Sequence, residues 1–486
     1  MSGRTRRQFL EDSMFAAAAA VAANSGVRAF AADEKPQLKN PNEKLGVAVV
    51  GCGGRGGDHL QTMAKRQDTE VLYVVDVDAS IGARRAKQVA ELQGREPKVV
   101  ADMREAFDDK SVDVVTTATP NHWHALVSIW AMQAGKDVYV EKPVSHNVSE
   151  GRRIVEVARK YKKICQTGTQ SRSNKGMQDA MKYIHDGKLG QVVVSRGLCY
   201  KPRPSIGPLG NYPIPDGVNY DLWLGPAQYA PLTRKKFHYD WHMQTPYGNG
   251  DLGNQGIHQM DLCRWALGVG KLSNSVFSYG GRLGYEDAGD AANTQMIVHD
   301  YGDRALVFEV RGLPTEAYKD AKVGIIVECA DGYLVMSSYS SGVAFDKDGN
   351  QVQKFDGGGD HYGNFLDAVR SRNHEELNAD VEEGHLSSAL CHLGNISYRL
   401  GKKTSVAEVK DRLASVKSPE HLVDTCDRFT KHLSDNKLDL ATTQLSYGPT
   451  LVVDTENEVF LDNSEADALL TRDYRPPFVV PPKGQI

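Results

Sequence analysis

Leu45-Gly46-Val47-Ala48-Val49-Val50-Gly51-Cys52-Gly53-Gly54-Arg55-Gly56 is a short apolar run that breaks straight into G-x-G-x-x-G. A run of that length bounded by turn residues reads as a buried strand, and each glycine after it has its own task. Gly51 permits the tight turn, Gly53 lets backbone approach a pyrophosphate, and Gly56 lets the next helix pack closely on the strand. Gly54 and Arg55 open that helix, whose free N–H groups and dipole favour phosphate. With 46 glycines in the chain the motif alone is a weak signal. Val71 to Val75, however, reads as a second strand, and it ends at Asp76, 20 residues beyond Gly56. A carboxylate there accepts both ribose hydroxyls of NAD and repels a 2′-phosphate. NAD is therefore favoured over NADP, which the neighbouring Arg84 and Arg85 would serve.

The alternation of strand and helix continues. Val112 to Thr117 reads as a strand that breaks at Ala118-Thr119-Pro120-Asn121, Trp123 to Ala134 has helical spacing, and Asp137 to Val140 is a strand delivering Glu141-Lys142-Pro143. Such an order predicts an α/β fold with a doubly wound parallel sheet and ligands at the carboxyl ends of its strands. Thr119, Asn121, His124, Glu141 and Lys142 are thereby placed beside the cofactor. After Gly168 the strand-like segments Gln191 to Tyr200, Ser273 to Arg282, Thr294 to Asp300, Ala305 to Arg311 and Val323 to Glu328 follow with few helices between. They predict a C-terminal α+β domain with a large, mostly antiparallel sheet, which covers the cleft and offers its outer face for a homo-oligomer, a dimer or tetramer. Helices are expected at His361 to Arg372 and Glu383 to Leu400, and the chain ends in the proline-rich Arg475 to Pro482, read as an extended strap. The predicted divisions are a signal over 1–31, a nucleotide-binding domain over 44–168, a substrate and oligomerisation domain over 169–404 and a C-terminal extension over 405–486.

The chain has 486 residues and a net charge of −4, which argues against a nucleic-acid surface. Its seven cysteines are scattered without a C-x-x-C pair, which argues against a disulfide framework or a zinc ribbon. Thr5-Arg6-Arg7-Gln8-Phe9-Leu10 precedes an alanine-rich apolar run, and Ala29-Phe30-Ala31 offers a cleavage pattern. That order resembles a twin-arginine export signal, and the run is too short for a stable anchor. It predicts delivery by the twin-arginine translocation machinery to the periplasm or another extracytoplasmic compartment, without stable membrane insertion.

Gly248 to Gly256 is too glycine-rich for a strand, and Ile257 to Leu267 then has helical spacing that stops at Gly268. His258 and Asp261, three apart, project from one face, so Asp261 is expected to orient the imidazole or to bind a sugar hydroxyl. The aromatic, polar stretch from Tyr200 to Tyr247 holds Asp240, Trp241 and His242, which suit a pocket that stacks on a sugar ring and reads its hydroxyls, or equally a packed loop. Arg172 is a further candidate for that pocket. His122 and His124 have no third ligand at helical spacing, so no metal is assigned.

The loop Gly51 to Gly56, Ala118-Thr119-Pro120-Asn121 with His124, Glu141-Lys142-Pro143 and Gly256-Ile257-His258-Gln259-Met260-Asp261 together resemble the glucose–fructose oxidoreductase/inositol dehydrogenase (Gfo/Idh/MocA) family, in its exported branch. The resemblance spans about Leu45 to Lys402. It implies a Rossmann domain, a tightly bound NAD, and Lys142 and His258 facing the nicotinamide and the substrate carbinol. Oxidising a secondary alcohol needs a base within about 3 Å of the hydroxyl, and either group can serve. Similar enzymes carry aspartate four residues before the histidine. Asn254 stands there, which leaves it hydroxyl binding rather than proton transfer. The expected function is hydride transfer between NAD and a secondary alcohol of a sugar, sugar derivative or cyclitol. Two alternatives are a redox-neutral glycoside hydrolase, in which Tyr200, Asp221, Asp240 or His242 would supply the extra acid/base, and a sugar-binding protein that only retains NAD.

Overall fold

The structure is a computed structural model that describes residues 44–486, so the signal expected over 1–31 lies outside the described residues. Among the described residues the chain forms two sheets. The first has the order β3-β2-β1-β4-β5-β6, every pair parallel, with β1 (Leu45–Val50), β2 (Thr69–Val75), β3 (Lys98–Val100), β4 (Val114–Thr117), β5 (Asp137–Val140) and β6 (Cys165–Thr167). Helices α1 (Gly54–Lys65), α2 (Ala79–Gln93), α3 (Met103–Phe107), α4 (Asn121–Gln133) and α5 (Val148–Lys160) connect these strands. Both faces of β1 are covered, and Val47, Ala48 and Val49 are fully buried, as a near-continuous apolar strand requires. The strand order reverses between β1 and β4, which opens a crevice at their carboxyl ends.

Two glycines shape that crevice. Gly51 has φ +78°, and a Cβ on Gly56 would stand 1.8 Å from the Gly51 carbonyl oxygen. The first requires left-handed backbone and the second the close approach of helix to strand.

The second sheet has twelve strands, in the order β14-β13-β12-β11-β7-β10-β9-β8-β16-β15, with β17 on β8 and β18 on β17. Its body is β7 (Val192–Tyr200), β8 (Ser275–Gly281), β9 (Thr294–Asp300), β10 (Ala305–Arg311), β11 (Val323–Cys329), β12 (Gly332–Met336), β13 (Gly342–Asp346) and β14 (Gln351–Phe355). Only β7 and β10 pair in parallel. One face packs on α6 (Lys175–His185), α9 (Gly256–Leu267) and α11 (Val381–Arg399) through Ile257, Met260, Leu390, Ile297 and Phe308. Short helices α7 (Tyr220–Leu224) and α8 (Gly250–Asn254) precede α9, while α10 (His361–Ser371) packs on the first sheet.

The tail is not a strap laid over a finished body. Its strands β15 (Lys402–Ser405), β16 (Gln444–Tyr447), β17 (Leu451–Asp454) and β18 (Val459–Phe460) extend the second sheet, and α12 (Val406–Ala414) and α13 (Leu422–Asp435) cover its outer face. A short α14 (Ser464–Ala468) follows. The cause lies in the strands: Phe277, Tyr279, Met296, Val298 and Val307 make the outer face apolar as well, and Val409, Phe429 and Leu433 bury it. Over β8 to β10, the face expected to mediate self-association is thus occupied by the chain's own helices. Only the terminal stretch runs extended, seating Phe478 against Trp123 and Trp130 at ring distances of 5.4 and 6.2 Å. All seven cysteines are free, and all but Cys329 are buried. No described helix is long and apolar enough to cross a membrane.

Phe429→Ala removes the largest apolar side chain of α13 from this contact, and the expected cost is about 3–5 kcal/mol. Denaturant unfolding of the full chain measures it; an unchanged midpoint would mean that α13 does not hold the cover in place.

Candidate active site

A cavity of ≈ 780 Å³ lies over the carboxyl ends of β1, β2, β4 and β5 and is closed on its far side by the turn between α8 and α9. Gly51, Gly53, Gly54, Arg55, Asp76, Thr119, Asn121, His124, Glu141, Lys142, Trp241, Asn254 and His258 line it. Gly56 does not, because its work is the helix contact described above.

The nucleotide end suits NAD. At Gly53 and Gly54 an added Cβ would meet nothing within 4 Å, so bare backbone faces the cavity. No side chain caps the first turn of α1, which leaves its amide groups for a pyrophosphate. The Asp76 carboxylate accepts from the amides of Cys52 (2.8 Å) and Asp78 (2.9 Å), which fixes it at the end of β2 with lone pairs to spare for ribose hydroxyls. Desolvation raises its pKa, against the pull of those two amides. Of the two arginines that NADP would recruit, Arg85 is committed: it donates to the carbonyls of Cys52 (2.9 Å) and Gly53 (2.6 Å) and so braces the glycine turn. Arg84 remains on the cavity wall. Arg55 is committed too, donating to Glu141 at 2.8 Å. Burial alone would raise the Glu141 pKa, but Arg55 and the adjacent His59 hold it well below the usual carboxylate range. His124 on α4 sits between the carbonyls of Pro143 (2.6 Å) and Thr119 (2.8 Å), and the single N–H of its neutral ring donates to one of them.

At the other end the lysine and the histidine meet. Lys142 follows β5, and its Nζ donates to the backbone carbonyl of Asn254 at 2.9 Å, one turn before His258. The position where related enzymes carry aspartate therefore acts through its main chain. Desolvation pulls the Lys142 pKa down, and Arg55, Lys201 and Arg203 pull the same way against Glu141. His258 is buried, and desolvation followed by the nearby Lys142 holds its pKa well below the ordinary imidazole value. Its Nδ1 is buried without a hydrogen-bond partner among the described residues, and its ring lies 5.0 Å from that of Tyr339.

Four expected substrate residues lie elsewhere. Asp261 does not orient His258 and does not line the cavity. It takes Arg172 on both oxygens (2.8 and 2.9 Å) and the Ser387 hydroxyl at 2.7 Å. Arg172 is buried with it, 3.0 Å from Glu383 and over the Trp265 ring. Helix α9 is buried along most of its length, so a carboxylate three residues on faces α11 rather than the cavity and needs an internal cation. Asp240 and His242 sit behind the wall, with the His242 Nδ1 2.5 Å from the Tyr239 carbonyl and its Nε2 4.0 Å from Asp251. The aromatic stretch divides: Trp223, Phe237 and Tyr247 are packed core around Arg234, while Trp241, Tyr239 and one edge of Trp223 reach the cavity.

Lys201, Arg203, Gln255 and Tyr339 complete the wall, and none was expected. Lys201 and Arg203 follow β7 as a cationic pair that in the sequence is no different from a solvated turn. Tyr339 sits between β12 and β13, strands of five residues each and too short to stand out.

Comparison with known proteins agrees with this geometry. Residues 45–169 match the Gfo/Idh/MocA oxidoreductase family, NAD-binding Rossmann fold, and residues 205–433 match the C-terminal alpha/beta domain of the same family. The chain belongs to the Gfo/Idh/MocA oxidoreductase family. An inositol 2-dehydrogenase of Salmonella paratyphi B is 32% identical over 158 residues, 32% of this chain and 46% of the relative. A glycosyl hydrolase family 109 protein of Shewanella baltica is 24% identical over 204 residues, 39% of this chain and 44% of the relative. The chain thus spans about half the length of the curated relatives it matches. A solved levoglucosan dehydrogenase, in complex with NADH and levoglucosan, shares the fold with a TM-score of 0.54 at 18% identity, covering 72% of this chain and 96% of that one.

Asp261→Ala takes away the bidentate partner of the buried Arg172 and leaves it Glu383, and the expected loss of stability is about 1–3 kcal/mol. Thermal unfolding together with steady-state kinetics checks the assignment. A variant of normal stability with a raised KM would instead make Asp261 a substrate ligand.

Proposed function

We propose that the protein is an NAD-dependent oxidoreductase that oxidises a secondary alcohol of a sugar, sugar derivative or cyclitol. The observation that carries this reading is the meeting of Lys142 and His258 on one wall of a cavity whose other end is an uncapped glycine turn. The names of the inositol and levoglucosan dehydrogenases among its relatives support the substrate class.

NAD, when bound, supplies the hydride acceptor. The chain's own residues handle the proton. The Asn254 carbonyl takes one N–H of Lys142, which in the neutral amine leaves the lone pair for the substrate hydroxyl. The lowered pKa makes that neutral form accessible. Burial and the neighbouring Lys142 oppose an imidazolium at His258 and outweigh Glu141, which favours one. It therefore acts as a neutral imidazole that hydrogen-bonds and positions the hydroxyl, and Lys142 is the proton acceptor. Trp241 and Tyr239 form the wall on which the sugar's C–H face stacks.

The redox-neutral hydrolase has only the name of a distant relative, the glycosyl hydrolase family 109 protein, in its favour, and the geometry does not support it. Of the groups that were to supply its additional acid/base, Tyr200 donates to Glu309 on the outer face of the second sheet, and Asp221 pairs with Arg475. Asp240 and His242 lie behind the wall, so none of the four lines the cavity.

The reading extends to export of the folded protein by the twin-arginine route with NAD already in place. Arg6-Arg7 ahead of an alanine-rich run supports it, as do Phe478 and the loop carrying Trp223, which roof the nucleotide end of the cavity. Protein purified from a periplasmic fraction is expected to release stoichiometric NAD on denaturation; a cytoplasmic protein free of nucleotide would contradict the proposal.

Lys142→Met is expected to lower kcat by about 10²–10⁴-fold, the usual worth of a positioned proton acceptor. The wild-type kcat/KM for oxidation should rise with pH to a plateau, because the base works only once deprotonated. Its inflection should fall below the ordinary lysine value, since the Lys142 pKa is lowered. His258 is already neutral across this range and adds no inflection. A pH profile with a single step at the free imidazole value, retained in Lys142→Met, would reverse the two roles.

A further inference from the structure

The charges on the substrate wall do not cancel. Lys201 follows β7 directly, lines the cavity, and donates from Nζ to the Gln255 side-chain carbonyl at 2.9 Å. Lys142 donates to the carbonyl of the preceding residue, Asn254. Two ammonium groups thus converge on two consecutive residues of the turn that opens α9. Among the described residues neither has an acidic side chain within salt-bridge distance. The two nearest carboxylates are already taken. Asp251 receives Arg203 on both oxygens, at 3.2 and 3.0 Å from Nε and 2.8 Å from Nη2, and Glu141 holds Arg55 and His59. The other acidic groups on the lining, Asp76 and Asp102, stand at the β2 and β3 end, where the nucleotide belongs.

An ammonium group held out of bulk water without a counter-charge is unfavourable, and a second one close by makes it more so. Lys142 relieves its share by working as a neutral amine. Lys201 has no such task and, apart from Asp251, which is already paired with Arg203, has no acidic partner for its charge among the described residues. Resting on the oxidoreductase reading above, we infer that the substrate carries a carboxylate, that is, a sugar acid, and that Lys201 binds that carboxylate while Lys142 takes the hydroxyl proton.

Carboxylate is favoured over phosphate by the donors present. A phosphate dianion is matched best by a guanidinium fork or a helix N-terminus. Among the described residues Arg203 is spent on Asp251 and on the Tyr239 hydroxyl (2.9 Å) and Arg55 on Glu141, and α9, which no side chain caps, follows straight on α8, with the amides of Gln255 and His258 already donating to the carbonyls of Asp251 and Gln255. What remains is one point-charge ammonium, flanked by the Gln255 amide and the Tyr339 hydroxyl, which bond to each other at 2.7 Å. One lysine with neutral donors beside it suits a single negative charge. The overall step balances as secondary alcohol plus NAD⁺ giving ketone, NADH and one proton, with the carboxylate unchanged.

The test uses the NAD-loaded protein and matched probes: glucose against glucuronate, galactose against galacturonate, and glucose 6-phosphate as the doubly charged control. Initial rates of reduced-nicotinamide fluorescence give kcat and KM for each. The expected result is a KM lower by about tenfold or more for the acid of each pair, the worth of one charge-assisted contact. Lys201→Met should erase that preference and Lys201→Arg should restore most of it. Equal or better use of the neutral partner overturns the inference and leaves the oxidoreductase reading standing. Preference for glucose 6-phosphate overturns the carboxylate assignment. If Lys201→Met shifts the pH profile of kcat while the acid-to-neutral ratio persists, Lys201 only tunes Lys142, and the inference fails. If no probe of either kind binds or reduces the cofactor, the oxidoreductase reading fails and this inference with it.

Discussion

A lysine amine hydrogen-bonded to a main-chain carbonyl 112 residues further along the chain is the contact on which this site depends. It joins the end of β5 in the parallel sheet to the turn before α9, which packs on the other sheet. Neither partner can move without opening the cavity between them. The choice of a carbonyl as acceptor matters chemically. A carboxylate there would have stabilised the ammonium form and raised its pKa, whereas the Asn254 carbonyl is neutral and leaves desolvation to lower it.

Among the described residues around the substrate end of this site, the arginines are paired and the acting lysines are not. Arg55 is matched with Glu141, Arg203 with Asp251, and Arg172 with Asp261, each at hydrogen-bond distance. Removing those cations from play leaves Lys142 and Lys201 to face the substrate, and leaves the nucleotide's phosphates to backbone amides. Arg85 follows the same logic, since it braces the glycine turn from behind instead of reaching for a phosphate. Fixed, paired charges around a few unpaired ones give a preorganised field that needs no rearrangement during the reaction.

Four of the first sheet's six strands, β1, β2, β4 and β5, were legible because their signals are local, while the three-residue β3 and β6 are too short to read. Apolar runs mark the strands, and the glycine turn fixes the crossover. Asp137–Val140 falls as expected, and β4 and α4 differ from expectation by only two residues at their starts. Lys142 and His258 were legible as a motif, but their meeting is a tertiary fact that no spacing contains. The errors share one cause. Asp261 was placed toward its helical neighbour His258, as i, i+3 geometry allows, yet a helix buried along most of its length leaves open which face meets which partner, and Arg172 from a distant turn settled the matter. Likewise the tail was read by its prolines, when the apolar outer faces of β8, β9 and β10 required a cover that only the tail could provide. Lys201 and Arg203 escaped notice because two cations after a strand look like any solvated turn until the cavity beside them is seen.

The most direct measurement is a crystal structure of the NAD-loaded protein with a sugar held as a dead-end complex. The account predicts the Lys142 Nζ and a His258 ring nitrogen both within about 3.2 Å of one substrate hydroxyl, whose carbon lies over the nicotinamide. A structure with the nicotinamide turned away from these two side chains, or with the sugar hydroxyl reached by neither, would contradict it.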